Sequence, residues 1–170
     1  MMSIELLSFT DDQGLIVAEN WLPRVEAVHR QLHSAFPAGH DAYRTMLLNI
    51  FESGGRMCLA VEGAEVLGVV IWRIVYNSLE KKRLHVDDIV TVEGKRSQGV
   101  GKLLMEWAEQ RARALGCATI ALDSGVQRDG AHRFYFREKF RIASYYFVKT
   151  IAAPKNQPFK FQQPQITPPA

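Results

Sequence analysis

The chain has 170 residues, of which 47% are hydrophobic and 23% are charged, as in an ordinary globular protein. This length suffices for one domain with a sizeable core. No apolar run approaches the roughly 20 residues of a membrane-spanning helix, and the N-terminus lacks a secretory-signal pattern. The formal net charge is +3 and the basic residues are scattered, so no nucleic-acid-binding face is indicated. We expect a soluble, cytoplasmic protein without nucleic-acid or membrane partners.

The N-terminal part of the chain begins with a short predicted strand, Ile4–Phe9. Apolar residues then recur at helical spacing as far as Phe36, and Pro23 is expected to divide this run into two helical pieces. Asp41 is placed to cap the next helix, which should stop at Ser53–Gly55. A strand followed by helices is therefore predicted here.

The middle of the chain has the pattern of an antiparallel meander. Met57–Val61 and Val66–Tyr76 flank a glycine-containing turn and predict a hairpin. A third strand, Leu84–Val92, follows a polar turn at Asn77–Arg83. The second strand is apolar at successive positions, so we expect helices on both faces of the sheet.

The C-terminal part alternates helices with strands. In the clearest helix, Gly101–Leu115, the apolar residues fall on one stripe. Ala118–Asp123 predicts a strand, Gly130–Lys139 a short helix, and Ile142–Lys149 a last strand. The order of elements indicates an α/β (α+β) fold with a mixed, mainly antiparallel sheet flanked by helices.

The domain organisation follows from where these elements stop. Residues 1–152 hold all of them and are expected to form a single domain. Residues 153–170 are rich in proline and glutamine and poor in core-forming residues, which predicts a tail.

The cysteines match no metal motif, and the one histidine pair whose spacing could ligate a metal lacks a further ligand. Cys58 and Cys117 sit among apolar neighbours and are interpreted as reduced core thiols. His29 and His33 would share one helix face, but no third ligand accompanies them. They are interpreted as a plain surface pair, and no metal site is predicted.

The most informative stretch is Arg96–Gly101, with the sequence Arg-Ser-Gln-Gly-Val-Gly between a strand and a helix. Gly99 and Gly101 let the backbone approach a ligand without an intervening Cβ. The first amides of the helix are unpaired and lie at its positive end, so a diphosphate can bind there. Arg96 and Lys102 could add charge-assisted contacts.

Two other phosphate-binding motifs do not fit this turn. A Walker loop needs a hydroxyl residue after its lysine, where this chain has Leu103. A dinucleotide fingerprint needs a third glycine, where this chain has Leu104.

The turn resembles the [Arg/Gln]-x-x-Gly-x-[Gly/Ala] motif of the GNAT superfamily of acetyl-CoA-dependent N-acetyltransferases. Ala131–Phe140 resembles that family's Ala-x-x-[Leu/Phe]-Tyr-x-x-x-Gly-Phe, with Lys139 where glycine is usual. Arg128 stands where an asparagine is usual. Residues 128–149 are also similar to aminoalkylphosphonate N-acetyltransferases. The resemblance implies splayed strands that form a CoA cleft, and acetyl transfer from acetyl-CoA to a primary amine of a small molecule or peptide.

The resemblance also implies which residues bind acetyl-CoA. The strand before the turn should bind the pantetheine arm through its backbone, and an amide near Val90 could polarise the thioester carbonyl. The turn and the first helical residues should hold the pyrophosphate. The implied cofactor-binding residues are Ile89, Val90, Val92, Arg96, Ser97, Gln98, Gly99, Val100, Gly101 and Lys102.

The implied catalytic residues are Tyr135, His85 and Asp87. Tyr135 matches the family's general acid, although a packing aromatic is the alternative. His85 lies where several members keep a catalytic Glu or His, and histidine exchanges protons near neutral pH; the alternative is a surface histidine. Asp87 shares its strand face, whereas Asp88 faces the other way unless a bulge intervenes. Both aspartates could instead hold the substrate cation, and a water chain could serve as the base.

Several alternatives stay open at this point. A non-catalytic acyl-CoA-binding sensor or interaction protein would keep the phosphate cradle without the chemistry. The acceptor site could be lined by Trp21, Phe36 and Tyr43, although such residues more often pack in a core. The apolar last strand and the proline-rich tail could support a homodimer.

Overall fold

The computed structural model describes residues 3–32 and 35–151, which are organised around a five-stranded sheet. The strands are β1 Glu5–Ser8, β2 Arg56–Glu62, β3 Glu65–Asn77, β4 Lys81–Thr91 and β5 Thr119–Leu122. They lie side by side in sequence order. The first four are antiparallel, and β5 pairs with β4 in parallel. The predicted mixed, mainly antiparallel sheet is confirmed.

Helices cover both faces of this sheet. They are α1 Leu22–His29, α2 His40–Glu52, α3 Val100–Ala114 and α4 Asp129–Arg137. Side chains of α1 and α2 share one core with Val69 and Ile71 of β3. Side chains of α3 share the other core with Val70 and Trp72. Because successive residues of a strand point to opposite faces, a strand covered on both sides is apolar throughout, as the sequence predicted.

Three details of the predicted elements differ from the structure. Pro23 begins a helix and does not interrupt one: it lies in the first turn of α1, where its missing N–H has no helical partner to lose. Only a short 3-10 turn, Glu19–Trp21, precedes it. Asp41 lies in the first turn of α2, and Gly39 holds the cap position. Strand β4 starts at Lys81, within the stretch predicted to be a turn.

The last predicted strand, Ile142–Lys149, is wrong. Residues 141–151, called here the C-terminal segment, carry no regular secondary structure. Strand propensity is expressed only when a neighbouring strand supplies hydrogen bonds and packing, and no strand among residues 3–32 and 35–151 pairs with the segment. Strand β5 is thereby left at the edge of the sheet. The exposed large apolar residues of the segment are Ile142, Tyr145, Tyr146, Phe147, Val148 and Ile151.

Cys58 is buried and Cys117 is partly buried, and both are free thiols, which confirms their interpretation. Burial raises the pKa of Cys58 to about 12, so this thiol stays protonated. No helix in the described part of the chain is long and apolar enough to cross a membrane. The predicted tail, residues 153–170, lies outside the described residues, and the domain boundary stays a prediction.

Candidate active site

The candidate site is a cleft that opens where two parallel strands separate. Strands β4 and β5 pair only over Arg83–Val86 and Thr119–Leu122, after which β4 continues as far as Thr91 without β5, paired with β3 alone. The opening has a volume of ≈ 270 Å³, which is small but of the order of a ligand pocket. Its lining comes from β4, the end of β5, the loop 123–128, α4 and Leu32 after α1. The splayed strands implied by the sequence resemblance are therefore present.

The ladder between β3 and β4 decides which amides of β4 face this cleft. The amide of Val92 donates to the carbonyl of Leu67 at 2.9 Å. Hydrogen-bonded pairs alternate in an antiparallel ladder, so Val90 also bonds to its partner on β3, Val69. The amides of Ile89 and Thr91 then point away from β3, toward the opening. Ile89, Val90 and Val92 were all expected to offer their amides to the pantetheine arm. The ladder corrects this expectation for Val90 and Val92, whose amides are used within the sheet, whereas the amide of Ile89 faces the cleft.

The turn before α3 forms an open cradle of backbone amides. Gly99 caps the helix with φ 87°, a left-handed conformation that favours glycine. No side chain caps the helix, and the amides before that of Leu103 have no helical carbonyl to bind. Ser97 also has a positive φ, 63°, so left-handed residues recur in this turn as in backbone anion-binding nests. Gly101 faces Phe134, 3.5 Å from where a Cβ would reach.

The charged residues of the cradle are exposed and only loosely paired. Arg96 lies 3.7 Å from Glu93, and Lys102 lies 3.6 Å from Glu106. Exposed ion pairs of this kind hold their partners weakly. Both cations therefore remain available to an anion bound at the helix end, whereas Gln98 contacts the carbonyl of Gly94 at 3.4 Å.

A bulge in β4 changes which side chains reach the cleft. Trp72 pairs with Val86 and Ile71 pairs with Asp88, so Asp87 is an extra residue on the β4 side. On a regular strand Asp88 would face away from His85. The bulge turns Asp88 to the face of His85, and both aspartates line the cleft.

His85 and Asp87 lie close together, as expected from their spacing. Nε2 of His85 is 4.0 Å from Oδ1 of Asp87 and 3.5 Å from Oδ2 of Asp123. Nδ1 of His85 is buried without a hydrogen-bond partner in the described part of the chain. Asp87 and Asp123 line the cleft, whereas His85 is not one of its lining residues. With its side chain only 16% exposed, His85 is not the surface histidine of the alternative interpretation.

Burial and an arginine act in opposite directions on Asp87. Burial raises the pKa of this carboxyl above its ordinary value, and the guanidinium of Arg73 partly offsets that rise. Arg73 Nε donates to Asp87 Oδ2 at 2.6 Å, and its Nη1 donates to the carbonyl of Ser53 at 3.0 Å. Asp87 is thus tied into the fold as well as facing the cleft.

Tyr135 reaches the cleft from α4, opposite the β4 bulge. Its ring packs between Phe134 and Phe140, with centroids 5.4 and 5.9 Å away. Burial raises the pKa of the Tyr135 phenol, so the hydroxyl keeps its proton at neutral pH. Tyr135 therefore both packs against aromatic neighbours and lines the cleft.

The two positions that depart from the family pattern have clear structural settings. Arg128 precedes α4, lines the cleft and donates from Nη2 to the carbonyl of Leu32 at 2.8 Å. Lys139 follows α4 with φ 68°, the left-handed conformation in which glycine is usual after a helix. The turn therefore keeps its shape although the residue is a lysine.

Sequence reasoning missed the role of His29. The interpretation as a surface pair is wrong for this residue, which is completely buried; His33 lies outside the described residues. The signal was available: His29 follows Val25 by four residues on the apolar face of α1. No cluster of three metal-binding side chains occurs in residues 3–32 and 35–151. Tyr43 is buried and Trp21 and Phe36 pack beside it, so all three serve the core.

Comparisons with known proteins agree with this architecture. The sequence pattern of the "Acetyltransferase (GNAT) family" matches residues 23–140, more than half of the chain. An aminoalkylphosphonate N-acetyltransferase of Salmonella typhimurium is 27% identical over 61% of this chain and 68% of its own length. An uncharacterised N-acetyltransferase of Bacillus subtilis is 42% identical over 41% of this chain and 50% of its own length.

Solved structures share the fold. An aminoglycoside N-acetyltransferase in complex with CoA aligns with a TM-score of 0.75 and 13% identity, over 90% of this chain and 97% of its own. An acetyltransferase of Trypanosoma brucei aligns with a TM-score of 0.70 and 18% identity, over 88% of this chain and 100% of its own. At these identities the structures testify to the fold alone, and the family is shown by the sequence match. The chain belongs to the GNAT acetyltransferase family.

Proposed function

We propose that the chain transfers the acetyl group of acetyl-CoA to a primary amine by direct attack within a ternary complex. The observation that carries the proposal is that the cleft joins two functions. By the alternation of the ladder between β3 and β4, the amides of Ile89 and Thr91 point to the side where β5 has separated, and Tyr135 lines the cleft from α4. A thioester bound along β4 would therefore lie beside a proton donor.

The coenzyme would be held mainly by backbone. The diphosphate fits the cradle formed by Ser97, Gly99 and the first amides of α3, with Arg96 and Lys102 adding charge. The pantetheine arm would follow the unpaired edge of β4 beyond Val86. Acetyl-CoA supplies an activated acyl group, and the amide of Ile89 is the proposed donor to its carbonyl oxygen.

The chemistry requires one proton acceptor and one proton donor. The ammonium must lose a proton before its nitrogen can form a bond to the thioester carbon. As the carbon–sulfur bond breaks, Tyr135 would protonate the departing thiolate and recover a proton from the new amide nitrogen. The first proton goes, directly or through water, to His85, whose imidazolium would lie between the carboxylates of Asp87 and Asp123.

The acceptor is proposed to be a small molecule, since the opening is small. The relative from Salmonella typhimurium is named for aminoalkylphosphonates, which makes this class the first to test. Arg128 lines the cleft and is a candidate for an anionic group of such an acceptor. A peptide amine remains the alternative acceptor.

The experiment is thiol release from acetyl-CoA, measured across a panel of aminoalkylphosphonates, diamines, aminoglycosides and lysine peptides. Release that depends on one of these amines, with the acetylated amine identified by mass spectrometry, supports the proposal. Binding of acetyl-CoA without acetylation of any amine would instead support a non-catalytic acyl-CoA-binding protein.

We also propose that the chain forms a homodimer. Strand β5 lies at the edge of the described sheet, and the C-terminal segment exposes large apolar side chains. An unpaired strand edge and an uncovered apolar segment can cover each other between two copies related by a two-fold axis.

A further inference from the structure

His29 connects the interior of the fold to the cleft. Its side chain is completely buried, and Phe36 packs on its ring with centroids 4.6 Å apart. Nδ1 lies 3.0 Å from the hydroxyl of Tyr43. Nε2 lies 3.3 Å from Oδ2 of Asp88, a residue of the cleft wall. A buried imidazole therefore supports a carboxylate at the site.

The hydrogen-bond pattern fixes the direction of this support. A carboxylate oxygen can only accept, so Nε2 must carry a proton and donate to Asp88. With that proton on Nε2, Nδ1 accepts from the hydroxyl of Tyr43, and both ring nitrogens of His29 have a partner. The opposite tautomer of His29 would set a nitrogen lone pair against a carboxylate. Tyr43 therefore selects the tautomer and His29 orients the carboxylate.

The other carboxylates of the cleft wall have different partners. Asp87 accepts from Arg73 at 2.6 Å, so a full opposite charge already neutralises it. Asp123 is half exposed and lies 3.5 Å from His85. Asp88 is 25% exposed and is held from behind by a ring that need not be charged. Among the described lining residues, Asp88 is thus the carboxylate that has no arginine partner and is also mostly shielded from solvent.

The bulge of β4 is a separate observation that concerns the direction of the Asp88 side chain. If Asp87 were an ordinary paired residue of the strand, the side chain of Asp88 would point into the opposite core beside Val86. Because Asp87 is unpaired, Asp88 faces the cleft that Tyr135 lines. Ser124 lines this cleft too, and its shielded hydroxyl has no hydrogen-bond partner among the described residues.

We propose that His29 is a positioning residue that holds Asp88 as the receptor for the ammonium group of the acceptor amine. The proposal rests on the proposed acetyl transfer and names the charge of its substrate: the acceptor arrives as a cation. Asp88 binds the ammonium group before the proton is lost. His29 and Tyr43 already fix the carboxylate, so little conformational freedom is lost when the ligand binds. No bond is made or broken by these three residues.

The test uses the full chain loaded with CoA and two probes of equal shape, propylammonium and neutral 1-propanol. Nitrogen-resolved spectra of the histidine rings should show His29 protonated at Nε2. Propylammonium should shift the His29 signals, and 1-propanol should not. Asp88→Asn should weaken propylammonium binding about tenfold or more, as loss of a charged hydrogen bond does. Asp123→Asn, which removes the same charge without touching His29, should weaken it by less.

A second set of variants separates positioning from folding. His29→Gln keeps a donor for Asp88 and an acceptor for Tyr43, whereas His29→Leu keeps neither. Tyr43→Phe removes the hydroxyl that selects the tautomer of His29 but keeps the ring that fills the space. Where an amine is turned over, His29→Leu and Tyr43→Phe should raise its KM more than they lower kcat, and His29→Gln should restore much of the loss. Unchanged KM for acetyl-CoA shows that the fold is intact.

The outcomes distinguish this inference from the function on which it rests. If propylammonium leaves the His29 signals unchanged, or binds Asp88→Asn as well as the wild type, the positioning role is overturned even if acetylation occurs. If propylammonium binds through Asp88 but no amine is acetylated, the ammonium site stands and acetyl transfer is overturned.

Discussion

Arg73 Nε lies 2.6 Å from Oδ2 of Asp87 and so fastens β3 to the bulge of β4. The same guanidinium donates to the carbonyl of Ser53 after α2, so it joins three parts of the fold at the edge of the cleft. The bulge determines where Asp88 points. The arginine therefore supports the site although its own side chain does not line it.

Replacement of Arg73 by Gln should destabilise the protein in a pH-dependent way. Burial already raises the pKa of Asp87 above its ordinary value, and the arginine opposes this rise. Without it the native pKa climbs further, so the ionised carboxylate disfavours folding more. We expect the free energy of unfolding to fall by about 1–3 kcal/mol at neutral pH. The loss should shrink as the pH falls through the raised native pKa, and it should vanish below the ordinary pKa of Asp, where the carboxyl is protonated in both states.

Urea unfolding at several pH values measures this effect, and Arg44→Gln is the matched control. Arg44 pairs with Glu19 at 2.9 Å, but both side chains are largely exposed. Its replacement should change stability by less than about 1 kcal/mol at any pH. Equal losses for the two variants, or a loss at Arg73 that grows in acid, would contradict the argument.

Tyr135→Phe should lower kcat strongly while leaving the binding of CoA intact. The variant removes only the hydroxyl, since the ring keeps its contacts with Phe134 and Phe140. Loss of a general acid costs about 100-fold to 10,000-fold in rate. Because burial raises the pKa of this phenol, the wild-type rate should also show no loss of the acid below the ordinary tyrosine pKa.

Steady-state rates and CoA titration check this prediction, with Tyr76→Phe as the control. Tyr76 is 70% exposed on β3 and does not line the cleft, so its variant should behave as the wild type. If Tyr135→Phe turns over normally, the thiolate must take its proton from another source.

Much of the fold could be predicted from the sequence because its signals are local. The glycines of the cradle, the apolar stripe of α3 and the continuous apolar run of β3 each follow from short-range geometry. The failure at Ile142–Lys149 has the opposite cause. A strand is defined by its neighbour, and β propensity within one segment does not reveal whether a neighbour exists in the same chain.

The site was less predictable because one inserted residue reverses its geometry. Strict alternation placed Asp88 away from His85, and only the pairing of Ile71 with Asp88 shows the bulge. The partnership of His29 with Asp88 joins residues 59 positions apart, which no spacing rule connects. The free amides belong to Ile89 and Thr91 and not to Val90, because hydrogen-bonded pairs alternate along the ladder between β3 and β4.

Gly99→Ala should weaken the binding of CoA as well as the fold. Its φ of 87° is left-handed, and a Cβ there costs about 1–2 kcal/mol. Relief of this strain would move the amides of the cradle, so we expect the dissociation constant of CoA to rise about tenfold.

Gly116→Ala separates strain from binding. Gly116 has φ 68° just after the opposite end of α3, so its variant should lose similar stability and keep the affinity for CoA. Thermal unfolding and calorimetric titration measure the two quantities. If both variants bind CoA like the wild type, the cradle is not where the diphosphate sits.

Phe147→Asp should convert the proposed homodimer to a monomer. Phe147 is 90% exposed in the C-terminal segment, whose apolar side chains would be covered by the open edge of β5 in a second copy. A carboxylate at the centre of such a contact would have to be desolvated without a partner, which opposes association. Leu79→Asp is the matched control, because Leu79 is 89% exposed in the turn between β3 and β4 and belongs neither to the C-terminal segment nor to β5. Light scattering with size-exclusion chromatography should give a dimer for the wild type and Leu79→Asp. A monomeric wild type, or a Phe147→Asp variant that remains dimeric, would show that this edge is not the interface.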